Sequence, residues 1–498
     1  MYEVRKQTRT GSGCRDLISP QLSKEGALSP SVFILETNMK HSSNEIYRIS
    51  KWSHFFYKGE VMAALHALSL ETLFVKNCGV LNRQVSVSLT KWNSLLGQEV
   101  CSEFLRLGIL VQQECNDMQL LSELRNRQIL EQKLDLVYLL LTDGCNLKCT
   151  YCFEETPESS CFTPTIMKPE TAVEALHFFG HMTSLHGTPG GEKIIQLYGG
   201  EPLMNKKAVR TIVCEMDTMK KAGELPLKTR LVVVTNGVLL DDELIELFAE
   251  NSVGVGVSID GPPNINNKYR IAKKDGVDVF QSAITAYRKA KERGVPIGLS
   301  ITLTPEVING FDTVLDFFIN DVGIENGVGF NILHFNPQVL GSIEYFDKAA
   351  DCLIRAFSRF RKLGIYEERM IRKVSAFAKQ EPIYADCGVV GNQIVVAPDG
   401  KVGVCQDFVK PRTYFAGSVH DPDYDPFCDG LFDNWKRRSP MFMKECFDCP
   451  AIAVCGGGCP ASIELQSGSR WNIDRRICPH SQKSLEWMVW ETYALSKG

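Results

Sequence analysis

Ten of the chain's 18 cysteines fall into two patterns whose spacing could hold metal. The first, Cys145-x3-Cys149-x2-Cys152, lies in the run Leu-Thr-Asp-Gly-Cys-Asn-Leu-Lys-Cys-Thr-Tyr-Cys-Phe of residues 141–153. Three thiolates on one tight loop can hold three irons of a [4Fe–4S] cube, leaving the fourth iron to bind something else. Zinc competes, but a structural zinc site takes four ligands, and no neighbouring His or Cys supplies the fourth. Three unconnected core cysteines are the remaining reading. The second pattern is Cys387-x12-Gly400-x4-Cys405, then Cys446-x2-Cys449-x5-Cys455-x3-Cys459, then Cys478. Its C-x2-C pair is shared with zinc knuckles, so paired zinc sites compete with iron–sulfur chemistry there. The other eight (Cys14, Cys78, Cys101, Cys115, Cys161, Cys214, Cys352, Cys428) are scattered, and each reads as a small buried hydrophobe.

The composition frames this chemistry. At 498 residues, 44% of them hydrophobic, the chain can bury a large core and reads as about three domains. A net charge of −4 gives no electrostatic footprint for nucleic acid or anionic membrane. The apolar runs fall well short of the ~18 residues of a membrane span, and the N-terminus has no apolar signal core. The expected location is therefore cytoplasmic, where thiols stay reduced and clustered cysteines argue for metal rather than disulfides.

The elements that must position the cysteines follow from periodicity. Residues 1–45 are polar and aperiodic, which predicts a flexible tail. Residues 46–130 read as a small α+β unit. Its strands fall at 54–58, 61–65 and 72–75. Helical spacing follows (Trp92, Leu95, Leu96; Val100, Phe104, Leu105), then a strand at 107–111 and a helix at 119–132. From 131 to 345, strands and helices alternate. The strands are expected at 134–142, 193–198, 230–235, 253–259, 295–303 and 327–334, each a mostly apolar run as if both faces were covered. Helices are expected near 169–186, 204–222, 241–250, 277–293, 305–319 and 344–363. Six β–α units suggest an α/β fold with a parallel sheet, as a partial barrel or a doubly wound sheet. Residues 346–498 turn irregular and rich in Gly, Pro and Cys after about 370.

The first cysteine loop resembles the signature of the radical S-adenosylmethionine (SAM) superfamily, including the aromatic Tyr151 before its last cysteine. The resemblance extends through the β–α units and implies a partial (β/α)6 barrel. Gly199-Gly200-Glu201-Pro202 matches the family's segment that binds the SAM amino group. Glycines there let the backbone approach a ligand, and the Glu carboxylate can accept from an ammonium. Thr235-Asn236-Gly237 ends the third strand and Ser258-Ile259-Asp260-Gly261 the fourth, where such folds place ligands. Taken alone, each is also an ordinary strand-end turn. The resemblance implies that Tyr151, Gly199, Gly200, Glu201, Pro202, Thr235, Asn236, Ser258 and Asp260 form the SAM site. It also implies that a reduced cluster on Cys145, Cys149 and Cys152 cleaves SAM to a 5′-deoxyadenosyl radical, which abstracts hydrogen from substrate.

The second pattern resembles the seven-cysteine SPASM domain at every cysteine and at the spacer Gly400. By position, the resemblance implies two auxiliary [4Fe–4S] clusters: one on Cys387, Cys405 and Cys459, the other on Cys446, Cys449, Cys455 and Cys478. Gly456-Gly457-Gly458 would let backbone N–H groups approach the sulfides. Sulfatase-maturase relatives carry a further cysteine six residues after the first, where this chain has Gln393. Either Cys428 supplies the fourth ligand of the first auxiliary cluster or one iron stays open. Asp407 is the candidate catalytic base beside that cluster.

Residues 46–130 resemble, in element order, the winged-helix RiPP recognition element (RiPPs are ribosomally made, post-translationally modified peptides), which binds leader peptide by strand addition. A plain structural domain is the other reading of that unit. The whole resembles a SPASM-group peptide maturase. That implies three [4Fe–4S] clusters, SAM, a leader-bearing precursor peptide and an electron donor such as flavodoxin or ferredoxin, with no nucleic acid and no membrane. The implied product is a thioether, or else carbon–carbon, crosslink. The alternatives are sulfatase-maturase-like oxidation of a protein Cys or Ser, and a non-catalytic iron–sulfur electron carrier or sensor. The residues at 199–202 and the six β–α units argue against a carrier, which needs no SAM pocket.

Overall fold

The computed structural model describes residues 4–6, 45–152, 163–334 and 344–497. Apart from residue 45 and the short strand β1 (Val4–Lys6), the tail expected at 1–45 lies outside the described residues. In the N-terminal unit the predicted alternation yields an antiparallel meander. After β2 (Ile46–Ile49) come β3 (Ser53–Lys58), β4 (Val61–His66) and β5 (Thr72–Lys76), and β1 adds antiparallel to β5. A second sheet sets β2 between β6 (Ser86–Ser88) and β7 (Leu110–Gln112). Helices Leu89–Leu96, Gln98–Arg106 and Met118–Leu130 match the predicted helical stretches.

Strand β4 is buried along its whole length, because both of its faces are covered. One face, with Val61, Ala63 and Leu65, packs with Trp52 and Phe74 against Met370, Phe377 and the C-terminal helix residues Leu485 and Val489. The other, with Met62 and Ala64, packs against Trp92, Leu96 and Phe104. The N-terminal unit is thereby seated on the C-terminal segment.

Six parallel strands follow: β8 (Leu136–Thr142), β9 (Ile194–Gly199), β10 (Arg230–Thr235), β11 (Gly254–Ser258), β12 (Ile297–Thr302) and β13 (Val328–Asn331). Each pairs with the next in chain order. A doubly wound sheet reverses its order at a switch point, whereas this one winds in a single direction, as a barrel wall does. Beside β8 the sheet continues through β14 (Gln393–Val396), parallel to it, and then through antiparallel β15 (Lys401–Gly403) and β16 (Phe415–Ser418). The C-terminal segment is thus built into the same sheet.

The strands differ from the expected two-sided burial. Ile195, Leu197, Leu231, Val233, Val255, Val257, Leu299 and Ile301 are buried in the main hydrophobic core, together with residues of the connecting helices such as Phe179, Ile212, Phe248 and Ile284. The alternate positions are only half-buried and border a cavity of about 800 Å³. Gly254, Gly256, Gly298 and Gly329 fall at those positions and leave its interior hollow. The period of two is the strand's own, since successive side chains point to opposite faces.

Candidate active site and cluster sites

The cysteine loop leaves the end of β8 and is fastened on both sides. On one side, the Gly200 N–H donates to the Thr142 carbonyl (3.0 Å) and the Glu201 N–H to the Gly144 carbonyl (2.9 Å). A Cβ on Gly199 would lie 2.1 Å from the Thr142 oxygen, and one on Gly200 2.1 Å from the Gly144 oxygen. These glycines therefore serve a close backbone approach to the cysteine loop itself. On the other side the loop pairs with residues 269–273: Thr150 N–H to the Tyr269 carbonyl (3.0 Å), Lys148 N–H to Ile271 (2.8 Å), and Lys273 N–H to the Asn146 carbonyl (2.9 Å). Asn236 closes a third side, its Nδ2 donating to Asn146 Oδ1 (2.8 Å). Burial foremost, with Glu201, Cys149 and Cys152 adding to it, pushes the Cys145 thiol up to about 12.

The two buried carboxylates at the strand ends act as staples. Glu201 Oε1 accepts from the Thr235 hydroxyl (2.6 Å) and the Leu203 N–H (3.1 Å), and Oε2 accepts from the Asn236 N–H (2.8 Å). These bonds tie β9 to β10 and cap the short turn Pro202–Asn205, leaving one acceptor position on Oε2. Burial raises its carboxyl to about 7.

Asp260 is fully buried. Its Oδ2 accepts from the Tyr151 hydroxyl (2.6 Å) and Arg270 Nε (2.9 Å), while Oδ1 accepts from an Arg270 guanidinium nitrogen (3.0 Å) and the Thr302 N–H (2.8 Å). The Arg270 guanidinium lies 5.6 Å from the centre of the Tyr151 ring. Arg270 is the functional residue that sequence reasoning missed. It links the cysteine loop to the end of β11 from a stretch with no motif of its own. Ser258 lines the cavity, as do Tyr151, Gly199, Gly200, Glu201, Thr235 and Asn236. Pro202 and Asp260 stand behind it, buried.

The second cysteine pattern also gathers into sets. Burial and the neighbours Asp407, Cys459 and Cys387 hold the Cys405 thiol well above its ordinary range. Burial, with Cys455, Cys449 and Cys478 beside it, pushes Cys446 up to about 12. Those neighbours are the cysteines that the resemblance groups together, and none of the ten forms a disulfide. Cys428 stands elsewhere: it is exposed, its sulfur 3.6 Å from Asp425 Oδ2. Gln393 is buried in β14 and donates to the Val404 carbonyl (3.0 Å). Asp407 does lie beside the first set, 4.0 Å from Cys459 Sγ, with burial raising its carboxyl to about 7. Gly456, Gly457 and Gly458 all have positive φ (78°, 80° and 71°). Their Cβ positions would meet the Asp386 backbone, Arg438 and Asp474 at 2.5, 2.9 and 2.6 Å.

The donor sets fit iron–sulfur clusters in charge as well as in number. Lys373 and Arg438 are each 2% exposed. Lys373 Nζ donates to the Val454 carbonyl (2.7 Å), and Arg438 donates to the Gly457 and Asn472 carbonyls (both 3.2 Å). Cys455 and Asp386 lie near Lys373, and Asp474, Cys446, Cys459 and Cys387 near Arg438. Thiolate-bound clusters would add negative charge beside these two buried cations, where burial makes an opposite charge favourable.

Residues 139–318 match the Radical SAM superfamily, and the chain is an enzyme that carries a radical SAM domain. It is 24% identical over 401 residues to the radical SAM cyclopropyl synthase TigE of Paramaledivibacter caminithermalis, covering 76% of this chain and 80% of that protein. The structure of native anSMEcpe with bound AdoMet is similar with a TM-score of 0.60 at 20% identity, over 73% of this chain and 98% of that one. Streptococcus suis SuiB bound to precursor peptide SuiA is similar with a TM-score of 0.50 at 13% identity, over 87% of this chain and 99% of that one.

Proposed function

We propose that the enzyme cleaves SAM reductively and oxidatively crosslinks a ribosomally made precursor peptide, through a thioether or a carbon–carbon bond. The observation that carries this reading is one continuous cavity of about 800 Å³. It touches Cys145, Cys149 and Cys152, and also Gln406, the residue that follows Cys405 of the first auxiliary set. Cys145, Cys149 and Cys152 would hold the SAM-binding cluster, and the other seven cysteines two auxiliary clusters. When bound, these groups supply a hydrogen-abstracting radical and a place for the electron left over when a crosslink forms.

The chain's own residues do the rest. Asp260, Arg270 and Tyr151 fix the cysteine loop, and Glu201 holds the ends of β9 and β10 in register beside it. The glycines of β11 and β12 make room for substrate, and Ser258, Ser300 and Asn331 offer it polar contacts on the wall. A leader would add along β3, the strand that ends its sheet. A shallow cavity of about 370 Å³ flanks β3, lined by Phe55, Tyr57, Leu81 and Arg83 among others. Flavodoxin or ferredoxin would supply electrons in a reducing cytoplasm.

The relative named as a cyclopropyl synthase sets carbon–carbon bonding level with the thioether as product. Incubation with SAM, reductant and peptides encoded beside the gene tests the proposal. A peptide lighter by two hydrogens that does not react with a hydrazine and shows two residues joined in tandem mass spectrometry supports crosslinking. A Cys or Ser oxidised to an aldehyde would replace this reading with the sulfatase-maturase one.

A further inference from the structure

The first auxiliary set has three cysteines and a glutamine where related maturases place another cysteine, and Cys428 is turned toward Asp425. A different donor stands beside it. Ligand atoms of His334, Asp407 and Cys459 all lie within 4.8 Å of one another. His334 comes from the end of the barrel wall, three residues beyond β13, and it lines the same cavity as the cysteine loop.

Its place is fixed by a buried clip. Arg476 donates to the carbonyl of Leu333 (2.7 Å) and pairs with Asp474 through Nε (2.8 Å) and a terminal nitrogen (2.6 Å). Asp474 in turn accepts from the Cys459 N–H (2.9 Å). The side chains of Arg476 and Asp474 are 5% and 0% exposed. One ion pair therefore joins the backbone of Leu333, just before His334, to the backbone of Cys459, 126 residues further along the chain.

We propose that His334 is the fourth ligand of the cluster on Cys387, Cys405 and Cys459. This rests on reading those three cysteines as cluster ligands. Imidazole is an accepted iron ligand, including on iron–sulfur clusters. It is favoured over Asp407 on charge, because three buried thiolates already make the site anionic. A carboxylate ligand would add to that charge, whereas neutral imidazole does not. His334 also stands on the cavity side, so it closes the iron that a substrate thiolate would otherwise reach. The first auxiliary cluster then exchanges electrons with the substrate site without binding substrate sulfur.

The test uses the full-length chain, made with 15N-labelled histidine and reconstituted anaerobically. Iron is counted, and the reduced auxiliary clusters are read by pulsed electron paramagnetic resonance. Three clusters correspond to about twelve irons. The expected result is that count together with strong coupling to a directly bound histidine nitrogen. His334→Cys should keep the iron and lose the coupling, while His480→Gln, two residues after Cys478 of the other auxiliary set, should keep the coupling. Full iron without histidine coupling overturns the assignment, as does coupling that survives His334→Cys or disappears with His480→Gln. About eight irons, with the first auxiliary cluster missing, would instead overturn the cluster reading on which the proposal rests. The wild-type measurement requires no variant to fold.

Discussion

Replacing Asp260 with asparagine keeps its shape and removes its charge, so its cost can be worked from its partners. Each Asp260 oxygen accepts two hydrogen bonds, from Tyr151 and Arg270 on one side and from Arg270 and Thr302 on the other. An asparagine must turn its NH2 toward one of those pairs, so donor meets donor. Arg270, whose side chain is 9% exposed, is then left buried without its carboxylate. Breaking a buried pair from one end costs about 3–5 kcal/mol, a large share of the roughly 5–15 kcal/mol that holds a protein folded. Tyr151→Phe leaves the pair intact and loses a single hydrogen bond to a charged group, about 1.5–3 kcal/mol. The double variant Asp260→Asn/Arg270→Met removes both charges and should recover part of the loss. The assay is the urea midpoint of the cluster-free chain under reducing, anaerobic conditions. The expected order of midpoints is wild type, Tyr151→Phe, the double variant, then Asp260→Asn. An unchanged midpoint for Asp260→Asn, or a double variant less stable than that single one, would refute the reasoning.

Other perturbations separate the remaining parts of the account. Gly200→Ala forces a Cβ to within 2.1 Å of the Gly144 carbonyl, so the chain should lose about one cluster in three on reconstitution, read as iron per chain; full iron would show that the loop can yield. Glu367, fully buried at the start of helix Glu368–Lys379, has its carboxyl raised by burial from the ordinary 4.5 to about 7. Its folded-state pKa lies above the unfolded one, so the stability Glu367 contributes is fully present below pH 4.5 and is lost, by about 3 kcal/mol, as pH rises through 7. Glu367→Gln should therefore raise the urea midpoint more at pH 8 than at pH 5, and an equal change at both would contradict this. Lys373→Met removes a buried cation near Cys455 and should make the second auxiliary cluster harder to reduce by tens of millivolts, measured by redox titration; an unchanged potential would show that its charge is compensated elsewhere.

Much of the site was legible where chemistry and proximity coincide in the chain. Cys145, Cys149 and Cys152 share one loop, and short apolar runs alternating with helical spacing located β3 to β5 and the six barrel strands. The hollow interior was also written in the sequence, as Gly254, Gly256 and Ser258 on alternate positions of β11. The apolar character of the strands had masked it. What stayed hidden depends on contacts between distant segments. Tyr151 and Asp260 are 109 residues apart, and Arg270 meets them only because residues 269–273 pair with the cysteine loop. His334 carries no spacing signal at all, since its neighbours Asp407 and Cys459 are brought to it by the fold. The short strands β2 and β6 were missed because four and three residues give too little periodicity. Gly199 and Gly200, expected to meet a ligand, line the cavity, but the partner their backbone approaches is the cysteine loop itself.

The function proposed above stands on SAM cleavage at the loop that carries Cys145, Cys149 and Cys152. It is tested most directly by 5′-deoxyadenosine formation from SAM and dithionite, with wild-type enzyme and the Cys145→Ala/Cys149→Ala/Cys152→Ala variant reconstituted side by side. The account predicts that the wild type forms 5′-deoxyadenosine, while the variant forms none yet keeps about two thirds of the iron. A fully loaded wild type that forms none, or a variant that forms as much, would contradict it.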